Sequence, residues 1–163
     1  MDDDERMRKV LGHKLLSQHE HVMKRPGMYI GSTEAETANR WILDSEMKPV
    51  RKEVVYTPGL LKLFDEVITN SLDASVKDPT VKLISVTLDP TCVRVKNNGT
   101  GIPVEMHPEH GMYVPELVFG HLNSSSNYDD EAGRVVAGVH GLGVKLVSIF
   151  STEFQVRGRQ APP

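Results

Sequence analysis

Three polar residues recur at helical spacing between positions 66 and 73 of this 163-residue chain. Glu66, Asn70 and Asp73 are separated by four and three residues, so on a helix they share one face. A carboxylate and an amide one turn apart can hold an attacking water and a divalent ion beside a phosphate chain, because Mg²⁺ accepts such hard oxygen ligands. Glu66 is then the candidate base and Asn70 the candidate metal ligand. A solvated helix face explains the same residues without any ligand.

Two glycine-rich segments can bring backbone groups close to a ligand. The first glycine turn, residues 97–101, reads Asn-Asn-Gly-Thr-Gly and places Asn97 at a strand end, where its amide can pair with an adenine edge. The second glycine turn, residues 138–143, opens a helix whose unpaired N–H groups and dipole attract anions, and Lys145 adds a positive charge. Neither segment matches the P-loop or the dinucleotide-binding fingerprint. Ordinary turns would also explain the glycines.

An apolar stripe predicts the long helix that carries the first group. Apolar residues recur every three or four positions, Pro58 suits a first helical position, and Asp78-Pro79 ends the pattern, so a helix over about 58–76 is expected. The stripe is expected to face the core, with the polar row pointing away from it. Its members are Leu61, Phe64, Ile68 and Leu72.

The remaining elements follow from alternation, proline and glycine. Alternating apolar residues predict a β-hairpin over 84–95 that runs directly into the first glycine turn. The other expected elements are short helices at 115–122 and 142–150, a strand at 152–156, and a mobile hydroxyl-rich loop over 123–137.

Composition indicates an ordinary globular chain rather than a membrane or DNA-binding one. The formal net charge is -3, so the chain carries no electrostatic footprint of nucleic-acid binding. Cys92 is the single cysteine and excludes an internal disulfide, which fits a reducing compartment. No run of about eighteen apolar residues is present. The expectation is a soluble, intracellular protein without a membrane partner.

The order of these groups resembles one known family. The chain is similar to the N-terminal ATPase region of type IIA DNA topoisomerases, members of the GHKL superfamily. Two of its motifs, RPGMYIGS and SSNYDDE, are typical of topoisomerases rather than of the whole superfamily. The resemblance implies an α+β Bergerat (GHKL) ATP-binding fold, with a mixed, mostly antiparallel sheet and helices on one face. The segments that carry it are RPGMYIGS at 25–32, PGLLKLFDEVITNSLDA at 58–74, NNGTGIPV at 97–104, MYVPELVFGHLNSSSNYDDE at 112–131 and GVHGLGVKLVSIFSTEF at 138–154.

The resemblance implies ATP and Mg²⁺ as cofactors and assigns roles around them. By similarity, Glu66 would activate the attacking water, Asn70 would coordinate Mg²⁺ with the triphosphate, and Asn97 would contact adenine. Residues 125–127 fall on the family's ATP lid, and the second glycine turn would wrap the phosphates. The residues implied to bind the nucleotide are Asn70, Asp73, Asn97, Gly99, Gly101, Ile102, Ser125, Ser126, Asn127, His140, Gly141, Leu142, Gly143 and Lys145.

Two positions depart from the eukaryotic form of the family. Ala74 stands where those enzymes commonly carry a nucleotide-contacting Asn, and Val139-His140 replaces their Arg-Asn. A divergent lineage, viral or protist, would explain the mixture. His140 is either a direct phosphate contact or a loop histidine packed against the lid.

The resemblance also divides the chain. We expect an arm at 1–18, a partial GHKL ATPase domain at 19–157 and an unstructured tail at 158–163, with an incomplete sheet at the C-terminus and no transducer, TOPRIM or DNA-cleavage domain. In the parent enzyme two ATPase domains would dimerise on ATP and drive double-strand passage, which changes DNA topology, while other regions hold DNA. The alternative is a catalytically incomplete nucleotide-binding or dimerisation module. The implied location is the nucleus for a eukaryotic lineage and the cytoplasm or virus factory for a viral one.

Overall fold

Four helices, one 3-10 turn and four strands have both ends within the part of the chain that the computed structural model describes, residues 7, 10–124 and 141–158. Their mixture confirms the α+β class. The helices are α1 (Gln18–Lys24), α2 (Pro58–Lys77), α3 (Val114–Gly120) and α4 (Gly143–Phe150), with the 3-10 turn at Pro26–Met28. The strands are β1 (Glu36–Leu43), β2 (Pro49–Tyr56), β3 (Ile84–Asp89) and β4 (Cys92–Asn97).

The described strands form two separate antiparallel ribbons rather than one mixed sheet. β1 pairs with β2 from Glu36↔Tyr56 to Leu43↔Pro49, and β3 pairs with β4 from Ile84↔Asn97 to Asp89↔Cys92. The β3–β4 hairpin confirms the alternation pattern. The β1–β2 hairpin was not predicted, because charged residues and Pro49 interrupt its apolar alternation.

The three predicted helices are confirmed, but a fourth helix, near the N-terminus, was not predicted. α2, α3 and α4 lie where proline starts and apolar periodicity placed them. α1 was missed, although Ser17 and Glu20 form a capping box: the Glu20 N–H donates to Ser17 Oγ at 3.2 Å, and the Ser17 N–H donates to Glu20 Oε2 at 2.8 Å. Within the described ranges, no helix is both long and apolar enough to cross a membrane.

The strand expected at 152–156 is wrong. Residues 152–156 have no regular strand structure and pair with no strand among the described residues. The half-buried ring of Phe154 instead meets Phe119 of α3, with 6.3 Å between ring centroids. Alternation alone therefore did not supply the partner that a strand needs.

A small core lies where α1, α2 and α4 meet. Val22, Ile30 and Leu146 are buried, and Val22 is only 1% exposed. The side chains packed around them are Tyr29, Leu63, Leu122, Leu142, Ile149 and Phe150. The expected burial of the α2 stripe is wrong at its ends, since Leu61 is 45% exposed and Leu72 is 50% exposed. α2 instead turns the face that carries Leu63 toward α4.

Candidate nucleotide site

Glu66 lies against the residue at which the second glycine turn becomes α4. A Cβ added at Gly143 would lie 2.7 Å from Glu66 Cδ and closer still to Oε2, so only glycine leaves room for the carboxylate. The Glu66 side chain is 19% exposed and forms an ion pair with Lys62, one turn earlier on α2. The prediction that the polar row points away from the packed side of the helix is therefore wrong for Glu66. Asp73 is half-buried and Asn70 is exposed.

The first glycine turn is organised by its two asparagines. The half-buried Asn97 is the last residue of β4, and its Oδ1 accepts from the Gly99 N–H at 3.3 Å. Asn98 was not predicted as important, yet its Oδ1 accepts from the backbone N–H groups of Lys82 and Leu83 at 2.9 and 3.0 Å. It therefore fastens the turn to the segment that leads into β3. The only sequence signal for this role of Asn98 was its position next to Asn97, with no function assigned to it.

Two glycines lie within the first glycine turn, and Ile102 follows it directly. Gly101 has a φ of +84°, the left-handed region that glycine adopts without steric cost. Gly99 is half-buried, as is Ile102, while Gly101 is exposed.

The described end of the second glycine turn is tied to the segment that follows α3. Gly141 has a φ of +63°, and its carbonyl oxygen accepts from the Asn123 N–H at 3.2 Å. Leu142 caps α4, with its carbonyl oxygen accepting from the N–H groups at positions 145 and 146 at 3.0 Å. Ser125, Ser126, Asn127 and His140 lie outside the described residues.

Lys145 is buried rather than extended into solvent. It is 5% exposed, and its Nζ donates to the Ser124 carbonyl oxygen at 2.5 Å. Burial lowers the pKa of this lysine, because a charged ammonium is less stable away from water. The ammonium thus lies beside the segment predicted to contact phosphates, and within the described residues it donates to one backbone oxygen.

The site fits a divalent ion only together with phosphate. In the described residues, no group of three or more His, Cys, Asp or Glu side chains could hold a metal. Asn70 lies one helical turn beyond Glu66 and is exposed. Because Mg²⁺ keeps several waters and takes the rest of its ligands from one or two side chains and phosphates, this donor set suits Mg²⁺ bound with a nucleotide.

Comparison with known families accounts for this arrangement. The family model described as "Histidine kinase-, DNA gyrase B-, and HSP90-like ATPase" matches residues 56–160, which include α2 and both glycine turns. The chain belongs to this ATPase family. That membership confirms the fold implied by the sequence motifs. It also indicates that nucleotide binding is the function to consider for this site.

Individual relatives narrow the position of the chain within the ATPase family. It is 48% identical to DNA topoisomerase 2 of Candida glabrata over 87% of this chain and 10% of the relative. It is 47% identical to DNA topoisomerase 2 of Drosophila melanogaster over 86% of this chain and 10% of the relative. The recognition of a eukaryotic-type topoisomerase ATPase region is therefore confirmed. The chain spans about a tenth of the length of these curated relatives.

Solved structures agree with this placement. The ATPase region of Saccharomyces cerevisiae topoisomerase II is 45% identical, with a TM-score of 0.82 over 86% of this chain and 38% of that one. The ATPase and transducer domains of DNA topoisomerase II from Balamuthia mandrillaris are 40% identical, with a TM-score of 0.81 over 85% of this chain and 36% of that one. The α+β architecture of this chain is thus shared with the topoisomerase II ATPase region.

Proposed function

We propose that this chain binds Mg·ATP between α2 and the two glycine turns and serves as the ATP-binding segment of a DNA topoisomerase 2. The observation that carries the proposal is the packing of Glu66 against Gly143, which joins α2 to the second glycine turn. Family membership and the topoisomerase relatives support the same function. The two glycine turns then flank the helix that presents Glu66 and Asn70.

Within this site the chain's own residues would divide the work of binding and hydrolysis. Asn97 would accept and donate hydrogen bonds at the adenine edge, because an amide carries both kinds of group. The N–H groups of 141–143 and the Lys145 ammonium would bind phosphate oxygens at the start of α4. Glu66 would orient a water and accept its proton, with Asn70 placing the ion that neutralises developing charge. Asp73, one turn further on the same face, would hydrogen-bond within the nucleotide site.

The hydroxyl-rich loop and His140 belong to the same proposal. Ser125, Ser126 and Asn127 would contact ribose and phosphate, and His140 would lie at the phosphates. Gly99, Gly101 and Ile102 would form the floor under the base. In the whole enzyme, ATP binding would close a homodimer gate and drive DNA strand passage in the nucleus, or in the cytoplasm or virus factory of a viral lineage.

Thermal unfolding of the 163-residue chain with Mg·ATP tests binding. A ligand at a hundred times its Kd stabilises the folded state by about 2.7 kcal/mol. For a chain of this size that corresponds to a rise in Tm of about 5–11 °C. A Tm that does not change with saturating Mg·ATP would remove the proposed function.

Phosphate release then separates hydrolysis from binding alone. Glu66→Ala should keep the Mg·ATP affinity and lose turnover, because the removed carboxylate would act on the water rather than on the nucleotide. Asp65→Ala is the matched control, since Asp65 is an exposed carboxylate on the same helix. Equal turnover in wild type and Glu66→Ala would overturn the catalytic assignment of Glu66. Phosphate release by the wild-type chain that does not exceed the protein-free rate would identify a nucleotide-binding module without catalysis.

A further inference from the structure

The carboxylate of Asp78 joins the end of α2 to the first glycine turn. Asp78 caps the helix, since its backbone N–H donates to the Ala74 carbonyl oxygen at 2.8 Å. Its Oδ1 accepts from the N–H of Thr80 at 2.9 Å and from the Thr80 hydroxyl. Its Oδ2 accepts from the N–H and the hydroxyl of Thr100, both at 2.8 Å, although Thr100 lies 22 residues further along the chain. One side chain thus connects two separate elements.

The glycine turn leaves space for this carboxylate. A Cβ added at Gly99 would lie 2.7 Å from Asp78 Oδ2 and would overlap the Val81 side chain. Gly99 is therefore required for close approach, whereas Gly101 is required for its left-handed backbone. The two positions of the turn therefore require glycine for different physical reasons.

The hydrogen bonds to Asp78 are those of an ionised group. The Thr80 hydroxyl, followed by the N–H and hydroxyl of Thr100, holds the pKa of Asp78 well below its usual range. The carboxylate is therefore charged at neutral pH, and hydrogen bonds to a charged acceptor are stronger than those between neutral groups. An amide in its place would present an NH₂ group to some of these donors.

The chain contains an internal comparison for this contact. Asp89-Pro90-Thr91 repeats the Asp-Pro-Thr sequence of the loop after α2. Asp89 Oδ1 accepts from the N–H and the hydroxyl of Thr91, both at 3.0 Å. Its Oδ2 pairs with Arg94 at 3.2 Å, within the same hairpin. The local turn is thus the same, but only Asp78 reaches a distant element.

We propose that Asp78 is a positioning residue for the nucleotide site: its carboxylate fixes the first glycine turn relative to the helix that carries Glu66 and Asn70. The inference rests on the proposed function, because the turn and the helix are its two sides. In this role Asp78 acts through the first glycine turn rather than on the nucleotide. It sets the distance between the adenine end and the metal end of the site.

The test compares Asp78→Asn with the matched variant Asp89→Asn in the 163-residue chain. Mg·ATP affinity is measured by calorimetry, and exchange of the Thr100 amide hydrogen is measured without nucleotide. Asp78→Asn should weaken Mg·ATP binding about tenfold, the size expected when a hydrogen bond to a charged group is lost. Thr100 exchange should accelerate about tenfold as its N–H loses a charged acceptor. Asp89→Asn should change neither quantity.

A second pair of variants serves if Asp78→Asn does not fold. Thr100→Val removes only the hydroxyl donor and should weaken Mg·ATP binding, whereas Thr100→Ser keeps it and should restore wild-type affinity. Unchanged affinity in Asp78→Asn, or equal losses in Asp78→Asn and Asp89→Asn, overturns the positioning role while the proposed function stands. A wild-type chain that binds no Mg·ATP overturns both.

Discussion

Replacing Gly143 with alanine tests the contact on which the site depends. The new Cβ would lie 2.7 Å from Glu66 Cδ, whereas carbon atoms in contact are normally about 3.5–4.0 Å apart. The Glu66 carboxyl group must therefore move by about 1 Å. A displacement of about 1 Å at a reacting group can reduce turnover about a hundredfold. We expect that loss in Gly143→Ala, with Mg·ATP affinity changed by less than about tenfold, because remote contacts of the base and ribose remain.

The same substitution should hardly affect folding, because the displaced atoms are the free end of a flexible side chain. Alanine favours a helix over glycine by up to about 1 kcal/mol. Loss of the half-exposed Lys62–Glu66 ion pair costs about 1 kcal/mol or less. The two effects oppose each other, so the free energy of unfolding should change by about 1 kcal/mol at most.

Phosphate release at saturating Mg·ATP and urea unfolding measure the two quantities, with Glu66→Ala as the baseline for turnover. Gly27→Ala is the control for a general glycine effect, since nothing lies within 4 Å of its added Cβ. The Glu66 carboxyl ¹³C resonance should shift in Gly143→Ala and stay in place in Gly27→Ala. Wild-type turnover in Gly143→Ala, or a large loss of stability without loss of turnover, would refute the reasoning.

Two further variants address the turns and the buried cation. Gly99→Ala should lower the free energy of unfolding by about 1–3 kcal/mol, because the methyl group overlaps Val81 and Asp78, and urea denaturation checks this against Gly27→Ala. Lys145→Met should alter the pH dependence of the free energy of unfolding. Burial depresses the pKa of Lys145 in the folded chain, so the unfolded chain binds more protons. The free energy of unfolding of the wild type therefore rises as the pH approaches about 10. Lys145→Met should abolish that rise and weaken Mg·ATP binding; a persistent rise in urea titrations at several pH values would contradict it.

Local signals predicted most of the elements because each depends on neighbours in the chain. Pro58 and the stripe after it marked α2, and alternation marked the β3–β4 hairpin. The face that α2 buries was not predictable in the same way, since it depends on where α4 packs. Leu61 and Leu72 are as apolar as Leu63, yet only Leu63 joins the core.

In the site, too, local sequence predicts some features, whereas others depend on packing between distant segments. Residue types and spacing singled out Glu66 and the glycines, but nothing in the sequence indicated that Glu66 would meet Gly143. Asp78 and Asp89 occur in identical tripeptides, but different groups approach their second oxygens. Turn chemistry is local and can be predicted, whereas tertiary partners arise from packing between distant segments.

The two antiparallel ribbons affect how the chain behaves in concentrated solution. Each strand has one hydrogen-bonded neighbour, and no other described strand pairs with the backbone N–H and C=O groups of its second edge. Such edges are templates on which another strand can add. Trp41 at 71% exposure and Val55 at 71% exposure line the β1–β2 ribbon, and a net charge of -3 gives little mutual repulsion. Dilute samples and light scattering therefore belong with every stability measurement on this chain.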